Sequence, residues 1–143
     1  NGILADRLMA LTFENKIKVR DYECDSQGVV NNAIYLHYLE ATRHELMEKC
    51  GLRLRDLTEA NILPVVRNVN ISYRNSLRGS EEFVCSIKIM RKGLRYLFHQ
   101  QIVRVPDNTL CADAVIEVVC LIDGKVAKPD IFDKAFADYI NWE

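Results

Sequence analysis

Residues 19–50 read VRDYECDSQGVVNNAIYLHYLEATRHELMEKC, a polar loop followed by a long amphipathic run. Residues 21–32 are rich in turn formers, whereas in residues 33–50 apolar side chains recur at helical spacing. The recurring stripe consists of Tyr35, Leu39, Thr42, Leu46 and Cys50, with Leu36 and Met47 beside it. Gly51 follows the last turn as a C-cap signal. The stretch therefore predicts one long helix entered from a loop.

On both sides of this helix the apolar residues alternate, which is typical of strands. Residues 12–20 predict a strand before the helix, and four more strands follow Pro64 with short turns between them. Short turns imply antiparallel neighbours, so we predict an α+β fold with one long helix on a five-stranded sheet. The strand faces are Val65, Val69, Ile71 and Tyr73; Phe83, Cys85, Ile87 and Ile89; Tyr96, Phe98 and Ile102 within residues 94–105; and the even positions of residues 110–122. Short helices are predicted over residues 53–60 and 130–142.

Length and composition describe an ordinary globular protein. The chain has 143 residues and is 49% hydrophobic, which predicts a single domain over residues 1–143. A net charge of −1 gives no global footprint for nucleic acid or an anionic membrane. Five cysteines with wide spacing and no C-x-x-C pair argue against disulfides and a cysteine zinc site. No signal peptide and no spanning apolar run is visible, so we expect a cytoplasmic protein.

The loop before the long helix holds the most informative carboxylate, Asp25. A helix start offers unpaired main-chain N–H groups and a positive dipole end. Those groups can polarise a carbonyl while a nearby carboxylate attacks it or activates water. Gly28 lets the main chain turn tightly and come close to a substrate. An aspartate in this position is also commonly a helix cap or a loop carboxylate, and Asn31 or Asn32 can cap the same helix.

The run D-x-x-G-V-V-N-N-x-x-Y over residues 25–35 resembles the motif of the 4-hydroxybenzoyl-CoA thioesterase family of hotdog-fold proteins. A V-R-x-x-x strand end precedes it and a long helix follows, and the resemblance covers roughly residues 12–125. It implies a hotdog fold, in which a five-stranded antiparallel sheet wraps one long central helix. It also implies hydrolysis of an acyl thioester of coenzyme A or acyl carrier protein, without a cofactor or metal. The Asn31-Asn32 pair is similar to plant-type acyl thioesterases of this family.

The resemblance also implies roles for individual residues. Asp25 matches the catalytic carboxylate, and the main-chain N–H of Asn32 matches the group that polarises the thioester carbonyl. Within the motif, we predict that Gly28, Val29, Val30 and Tyr35 contact the substrate. Tyr35 can line the acyl pocket, although core packing is the favoured interpretation of this residue. Family members form homodimers or homotetramers with the active site at the subunit interface. A second apolar face on the last strand, formed by Val115, Val119 and Leu121, agrees with such an assembly.

Outside the motif, two features have both a functional and a simple structural interpretation. Arg91, Lys92 and Arg95 crowd one turn and can grip the phosphates of coenzyme A or an acidic carrier protein, or form a solvated basic turn. Glu40 can orient water or Asp25, or pair with a helix neighbour. The three histidines have no metal-ligand spacing with carboxylates.

Two other functions on the same fold stay open. Hotdog hydratases use a D-x-x-x-x-H arrangement, and Val30 occupies the histidine position here, which disfavours hydration. A protein that binds acyl thioesters without turnover is the second alternative, because a fold does not fix a function.

Overall fold

The structure, a computed structural model, describes residues 9–128 and 130–142. One long helix and a large antiparallel sheet make up most of it, and a short 3-10 helix, Asp21–Glu23, precedes the long helix. In chain order the elements are β1 (Phe13–Lys18), α1 (Asn32–Lys49), α2 (Leu54–Glu59), β2 (Ile62–Tyr73), β3 (Glu82–Lys92), β4 (Arg95–Val105), β5 (Thr109–Ile122), β6 (Lys125–Ala127), α3 (Asp130–Ala135) and β7 (Ile140–Trp142).

The described sheet has seven strands rather than the five expected. Five long strands follow the order β1-β3-β4-β5-β2, while β6 pairs with β5 and β7 pairs in parallel with β3. Asp123 and Gly124 both have positive φ angles, 52° and 82°, the geometry of a tight hairpin turn that folds β6 back on β5. The helix expected over residues 130–142 ends at Ala135, because the chain returns to the sheet and sets Ile140 opposite Ile89.

The long helix is confirmed, with Asn31 as its N-cap and Lys49 as its last residue. Its buried side chains face the sheet, where the ring of Tyr38 lies 4.7 Å from the ring of Phe83. Cys50 caps the helix and is half-buried, whereas Leu36 is exposed. The buried set is Tyr35, Tyr38, Leu39, Thr42, Leu46 and Met47.

A buried amide fixes the helix against the sheet. Gln100 of β4 is fully buried, and its Nε2 donates to the main-chain carbonyl of Leu39 at 3.1 Å. Its Oε1 accepts from Arg43 Nη1 at 2.9 Å. Because a buried polar group is costly unless it is paired, this network favours one position of α1 along the sheet.

The edge strand β2 contains an irregularity that changes which side chains share a face. The pairing with β5 shifts between Val66 and Asn68, as at a β-bulge. Val65 pairs with Val119, on the outer face of β5, whereas Val69 pairs with Ile116 on the helix side. The prediction that Val65 shares a face with Val69 is therefore wrong, since the extra residue reverses the alternation.

Candidate active site

The loop that carries Asp25 is a tight hairpin immediately before α1. Its ends are held by an antiparallel bridge between Cys24 and Val30. Inside it, the Asp25 N–H donates to the Val29 carbonyl at 2.9 Å, and the Gly28 N–H donates to the Asp25 carbonyl at 3.0 Å. Gly28 has a φ of +77° and open space around it. The local sequence thus forms a loop that brings Asp25 and the helix start to the same end of the sheet.

Asp25 is exposed, and its two carboxylate oxygens have different surroundings. Oδ1 accepts main-chain N–H groups from Gln27 at 2.8 Å and Val29 at 3.4 Å. Within the described ranges, no donor lies within hydrogen-bond distance of Oδ2. One oxygen therefore fixes the rotamer of Asp25, and the other is available to a substrate or to water.

The start of α1 leaves one main-chain donor open. Asn31 accepts the Ala33 N–H with its side chain at 2.9 Å and the Ile34 N–H with its carbonyl at 2.9 Å. The Asn32 N–H has no acceptor among the described residues, as expected for the first residue of a helix. Asn31 therefore accepts the N–H groups of Ala33 and Ile34. The Asn32 N–H is left to point out of the helix end, where the positive end of the helix dipole also lies.

Two tyrosines that sequence patterns assign to packing support this helix start. The Tyr73 hydroxyl, at the end of β2, donates to the Asn32 carbonyl at 3.0 Å. Tyr35 is buried, and its hydroxyl accepts the Leu77 N–H at 3.0 Å. Burial raises the pKa of Tyr35, and its ring contacts that of Tyr73 edge-on at 5.4 Å. Tyr35 thus lies in the core beneath the site.

A carboxylate without a sequence signal, Glu23, ties the hairpin to the helix. Its Oε1 accepts the Tyr38 hydroxyl at 2.9 Å and the Arg20 N–H at 2.8 Å, and its carbonyl accepts the Asn31 N–H at 3.2 Å. Burial and the bond to Glu23 raise the pKa of Tyr38 well above its usual range. The partners are separated by 15 positions, so no local pattern predicts them.

The other two motif valines differ in exposure. Val30 is buried, with 3% of its surface exposed, and its N–H donates to the Leu77 carbonyl at 2.8 Å. Val29 is half-buried and forms a main-chain bridge with Arg78. Of the two, Val29 presents side-chain surface beside Asp25, and Val30 supports the loop from below.

The basic turn between β3 and β4 lies at the opposite end of the sheet. The hairpin lies near the start of β3, where the Val19 N–H donates to the Glu81 carbonyl, whereas Lys92 is the last residue of that strand and Arg95 is the first residue of β4. Eleven residues of β3 separate the two ends by roughly 30 Å at about 3.3 Å per residue. Within one chain, the structure does not bring this turn to Asp25.

Arg91 is inside the protein rather than on the basic turn. It is 3% exposed, and its guanidinium binds Asp133, the Tyr96 hydroxyl at 3.2 Å and the Gly93 carbonyl at 2.8 Å. It is therefore not available to a phosphate. Arg95 is half-buried and donates to Glu117 at 2.8 Å.

Glu40 lies on α1, about 12 Å along the axis from Asn32 at 1.5 Å per residue. Its Oε1 is 3.7 Å from His44 Nε2. The described part of the chain contains no group of three or more histidine, cysteine, aspartate or glutamate side chains placed to hold a metal ion. None of its helices is both long and apolar enough to cross a membrane.

Comparison with known proteins places this arrangement in a family. Residues 19–138 match the thioesterase-like superfamily. The chain belongs to this family. Within it, the chain is 35% identical over 116 residues to the long-chain acyl-CoA thioesterase FadM of Escherichia coli K12, covering 80% of this chain and 86% of that protein.

The superfamily match extends to plant proteins. Over 96 residues, 66% of this chain, the identity to the chloroplastic acyl-acyl carrier protein thioesterase ATL2 of Arabidopsis thaliana is 35%. The chain spans about half the length of the plant relatives that it matches, 51% for ATL2.

A solved structure establishes the hotdog-like fold. The 1,4-dihydroxy-2-naphthoyl-CoA thioesterase Slr0204 of Synechocystis superimposes with a TM-score of 0.83 at 18% identity, covering 90% of this chain and 97% of that one. A curled antiparallel sheet against one long helix is thus the shared architecture.

Proposed function

We propose that this protein hydrolyses acyl thioesters of coenzyme A or acyl carrier protein to a free acid and a thiol. One observation carries the proposal: the exposed carboxylate of Asp25 lies within the tight hairpin, and the open N–H of Asn32 begins the helix that follows it, at the same end of the sheet. A donor for a developing oxyanion and a base or nucleophile are the two groups that acyl transfer requires.

The thioester carbonyl oxygen accepts the Asn32 N–H, and the helix dipole stabilises negative charge there as the tetrahedral intermediate forms. Asp25 acts in one of two ways. As a general base it takes a proton from water, the resulting hydroxide adds to the carbonyl carbon, and the thiolate leaves and is protonated. As a nucleophile it displaces the thiolate itself, and water then hydrolyses the mixed anhydride.

The relatives support the substrate class. FadM is named for long-chain acyl-CoA and ATL2 for acyl-acyl carrier protein, so both carriers are proposed for this chain. Gly28 and Val29 form the wall of the hairpin that the thioester approaches. Glu40, predicted to orient water or Asp25, lies about 12 Å along α1 from Asn32 and its Oε1 is 3.7 Å from His44 Nε2, so within one copy we propose no role for it at the thioester carbonyl.

A second copy of the chain completes the proposed site. Among the described strands, β2 pairs only with β5, and along it Leu63, Val66 and Val69 are 56%, 46% and 41% exposed. Antiparallel pairing of β2 with β2 of a second copy covers this edge. It also reverses the direction of the second sheet, so that the partner's basic turn, with Lys92 and Arg95, comes to the end of the joined sheet at which Asp25 lies. We therefore propose a homodimer, or a homotetramer built from it, in which this turn binds carrier phosphates.

Hydrolysis of a panel of acyl-CoA and acyl-carrier-protein esters by the wild type and by Asp25→Asn tests the proposal. Asparagine keeps the Oδ1 acceptor for the Gln27 and Val29 N–H groups, so the hairpin stays folded. We expect kcat/KM to fall about 10²–10⁴-fold, the usual contribution of such a group. Asp56→Asn, which removes the same charge from an exposed position on α2, serves as the control.

Two results would count against the proposal. Full hydrolysis by Asp25→Asn excludes the catalytic role of this carboxylate. Binding of acyl-CoA by the wild type without turnover on any ester, from either carrier, favours the acyl-binding alternative.

A further inference from the structure

A cavity of about 230 Å³ lies between the second half of α1, the sheet and α3. Its lining is mainly apolar, with Met47, Val118 and Phe98 on the walls. The polar lining residues from α1 are Glu40, Arg43 and His44, at positions i, i+3 and i+4 on one side of the helix. An apolar pocket with a few polar groups on one wall suits a hydrocarbon chain rather than a charged ligand.

The α1 residues that line the cavity lie on the same face of the helix as residues near its start. Glu40, Arg43 and Met47 line it from α1, and Leu36 and Ala33 precede them at the same helical spacing, which puts all five on one stripe. Leu36 is 39% exposed. Val66 and Val69 lie on the helix-facing side of β2, and Tyr73 at its end bonds to Asn32. Apolar side chains therefore lie along the path from the Asn32 end of α1 to the cavity: Leu36 on the helix, and Val66 and Val69 on β2.

Two phenylalanines of the C-terminal segment close the far end of the cavity. Phe132 and Phe136 are 3% and 1% exposed, and their ring centroids are 5.8 Å apart. Phe136 meets Phe98 edge-on at 6.3 Å, and Phe132 lies 6.1 Å from Tyr96. These contacts make the end wall from side chains, so its position depends on where α3 is held.

An ion pair with a buried guanidinium holds α3 in place. Asp133, between the two phenylalanines, binds Arg91 Nη1 and accepts the Tyr96 hydroxyl at 2.6 Å. The guanidinium of Arg91 also stacks over Trp142 of β7 at 5.4 Å. α3 has only six residues, too few to be stable without tertiary contacts. Arg91 and Asp133 therefore determine where the end wall stands.

We propose that α3 is the end wall of an acyl-chain site and that the Arg91–Asp133 pair, as positioning residues, sets the longest chain that fits. The inference rests on the proposed function and names its substrate class as medium-chain acyl thioesters. A 150 Å³ cavity accepts benzene, with six carbons, so the cavity here has room for about eight to ten. The wall limits the chain whether the attacking carboxylate comes from the same copy or from its partner.

Binding of non-hydrolysable thioether analogues of acyl-CoA, from six to sixteen carbons, tests the proposal by calorimetry without turnover. For the wild type we expect Kd to fall about fourfold for each buried methylene. Beyond about eight to ten carbons Kd should level off or rise, and we call this chain length the break. Phe136→Leu and Asp133→Asn shift this break to chains at least two carbons longer. Val118→Leu, which adds a methylene inside the cavity, shifts it to shorter ones.

Two matched variants separate positioning from general stability. Asp133→Glu keeps the charge and is expected to keep the wild-type break. Asp130→Asn, which removes an exposed carboxylate of the same helix, should also leave the break unchanged. If the pair were only structural, Asp133→Asn would lower Tm and weaken the binding of analogues of every chain length to the same extent. If Asp133→Asn fails to fold, the opposite shifts of Phe136→Leu and Val118→Leu still decide whether this segment is the end wall of the chain site.

The results also separate this inference from the proposed function. The same break in every folded variant, or no break in the wild type, overturns the end wall even if esters are hydrolysed. A break that moves as expected in a protein that hydrolyses no ester supports the end wall and overturns the hydrolase.

Discussion

The hydroxyl of Tyr73 donates a hydrogen bond of 3.0 Å to the main-chain carbonyl of Asn32. This bond joins the last residue of β2 to the first residue of α1, so the edge strand holds the helix start whose N–H we propose to bind the thioester carbonyl. The ring of Tyr73 is held separately by its edge-on contact with Tyr35. Removing the hydroxyl therefore tests the tether without removing the packing.

For Tyr73→Phe we expect kcat/KM to fall about two- to tenfold, the equivalent of one hydrogen bond of about 0.5–1.5 kcal/mol. Stability should fall by no more than the same amount. Steady-state kinetics and urea denaturation measure the two effects, with Tyr139→Phe, distant from the site, as the control. An unchanged kcat/KM would mean that the helix start needs no support from β2.

The N-cap at Asn31 separates stability from activity. Its side-chain oxygen accepts the Ala33 N–H at 2.9 Å, so Asn31→Ala should cost about 1 kcal/mol of stability. Asn31→Asp keeps the acceptor and adds a charge that the helix dipole favours, so its stability should equal or exceed that of the wild type. The same charge opposes a negative oxygen forming at the Asn32 N–H, and kcat should fall. Thermal unfolding and kinetics on the two variants check this; wild-type kcat in Asn31→Asp would argue against an oxyanion at that N–H.

The parts of the fold that local patterns encode could be predicted from the sequence. The buried stripe of α1 and the alternation in β3 to β5 gave the helix and these strands, since burial on one face leaves a period in the sequence. The three-residue strands β6 and β7 are too short to show a period. The bulge in β2 falls at Arg67, between Val66 and Asn68. Arg67 and Asn68 are polar residues that fit an exposed strand on either face, so nothing local marks the reversal.

The site divides in the same way. Asp25, Gly28 and the helix start lie within one short stretch, and the hairpin that they form is local. The hydrogen-bond partners that determine whether a residue can reach the substrate are distant in the sequence. Asp133 lies 42 positions from Arg91, and Tyr73 lies 41 positions from Asn32. Arg91 resembles a surface arginine in the sequence because its neighbours Lys92 and Gly93 are typical of an exposed turn. Its burial follows from the return of the chain at α3.

The turn between β4 and β5 should contribute to the acid limit of stability. Hydrogen bonds from Arg104 and then Thr109 hold the pKa of Asp107 at about 2, below its ordinary value of 3.8. Because the pKa in the folded state is the lower one, the ionised carboxylate stabilises the fold above about pH 4, and this contribution is lost as the pH falls toward 2. The Tm difference between wild type and Asp107→Asn should therefore be full at pH 5, shrink as the pH falls to 2 and vanish only below the pKa of the folded state. A difference independent of pH over that range would contradict the assignment.

Removing one partner of the Arg91–Asp133 pair should destabilise the protein strongly, whereas replacing both with apolar side chains should change its stability little. Arg91 is 3% exposed and Asp133 is 22% exposed, so Asp133→Leu leaves a buried guanidinium without its counter-charge. We expect this variant, and Arg91→Met, to lose about 2–4 kcal/mol each. The double variant, which removes both charges, should recover to within about 1 kcal/mol of the wild type, since apolar side chains can replace a buried ion pair.

Urea denaturation of the two single variants and the double variant measures the coupling between the charges. The exposed pair Lys16–Glu82, with N–O distance 3.0 Å, is the matched control, and its removal should cost less than about 1 kcal/mol. Additive losses in the double variant would mean that Arg91 and Asp133 stabilise the C-terminal segment independently. A strong coupling, with recovery in the double variant, would establish that the penalty comes from the unpaired charge.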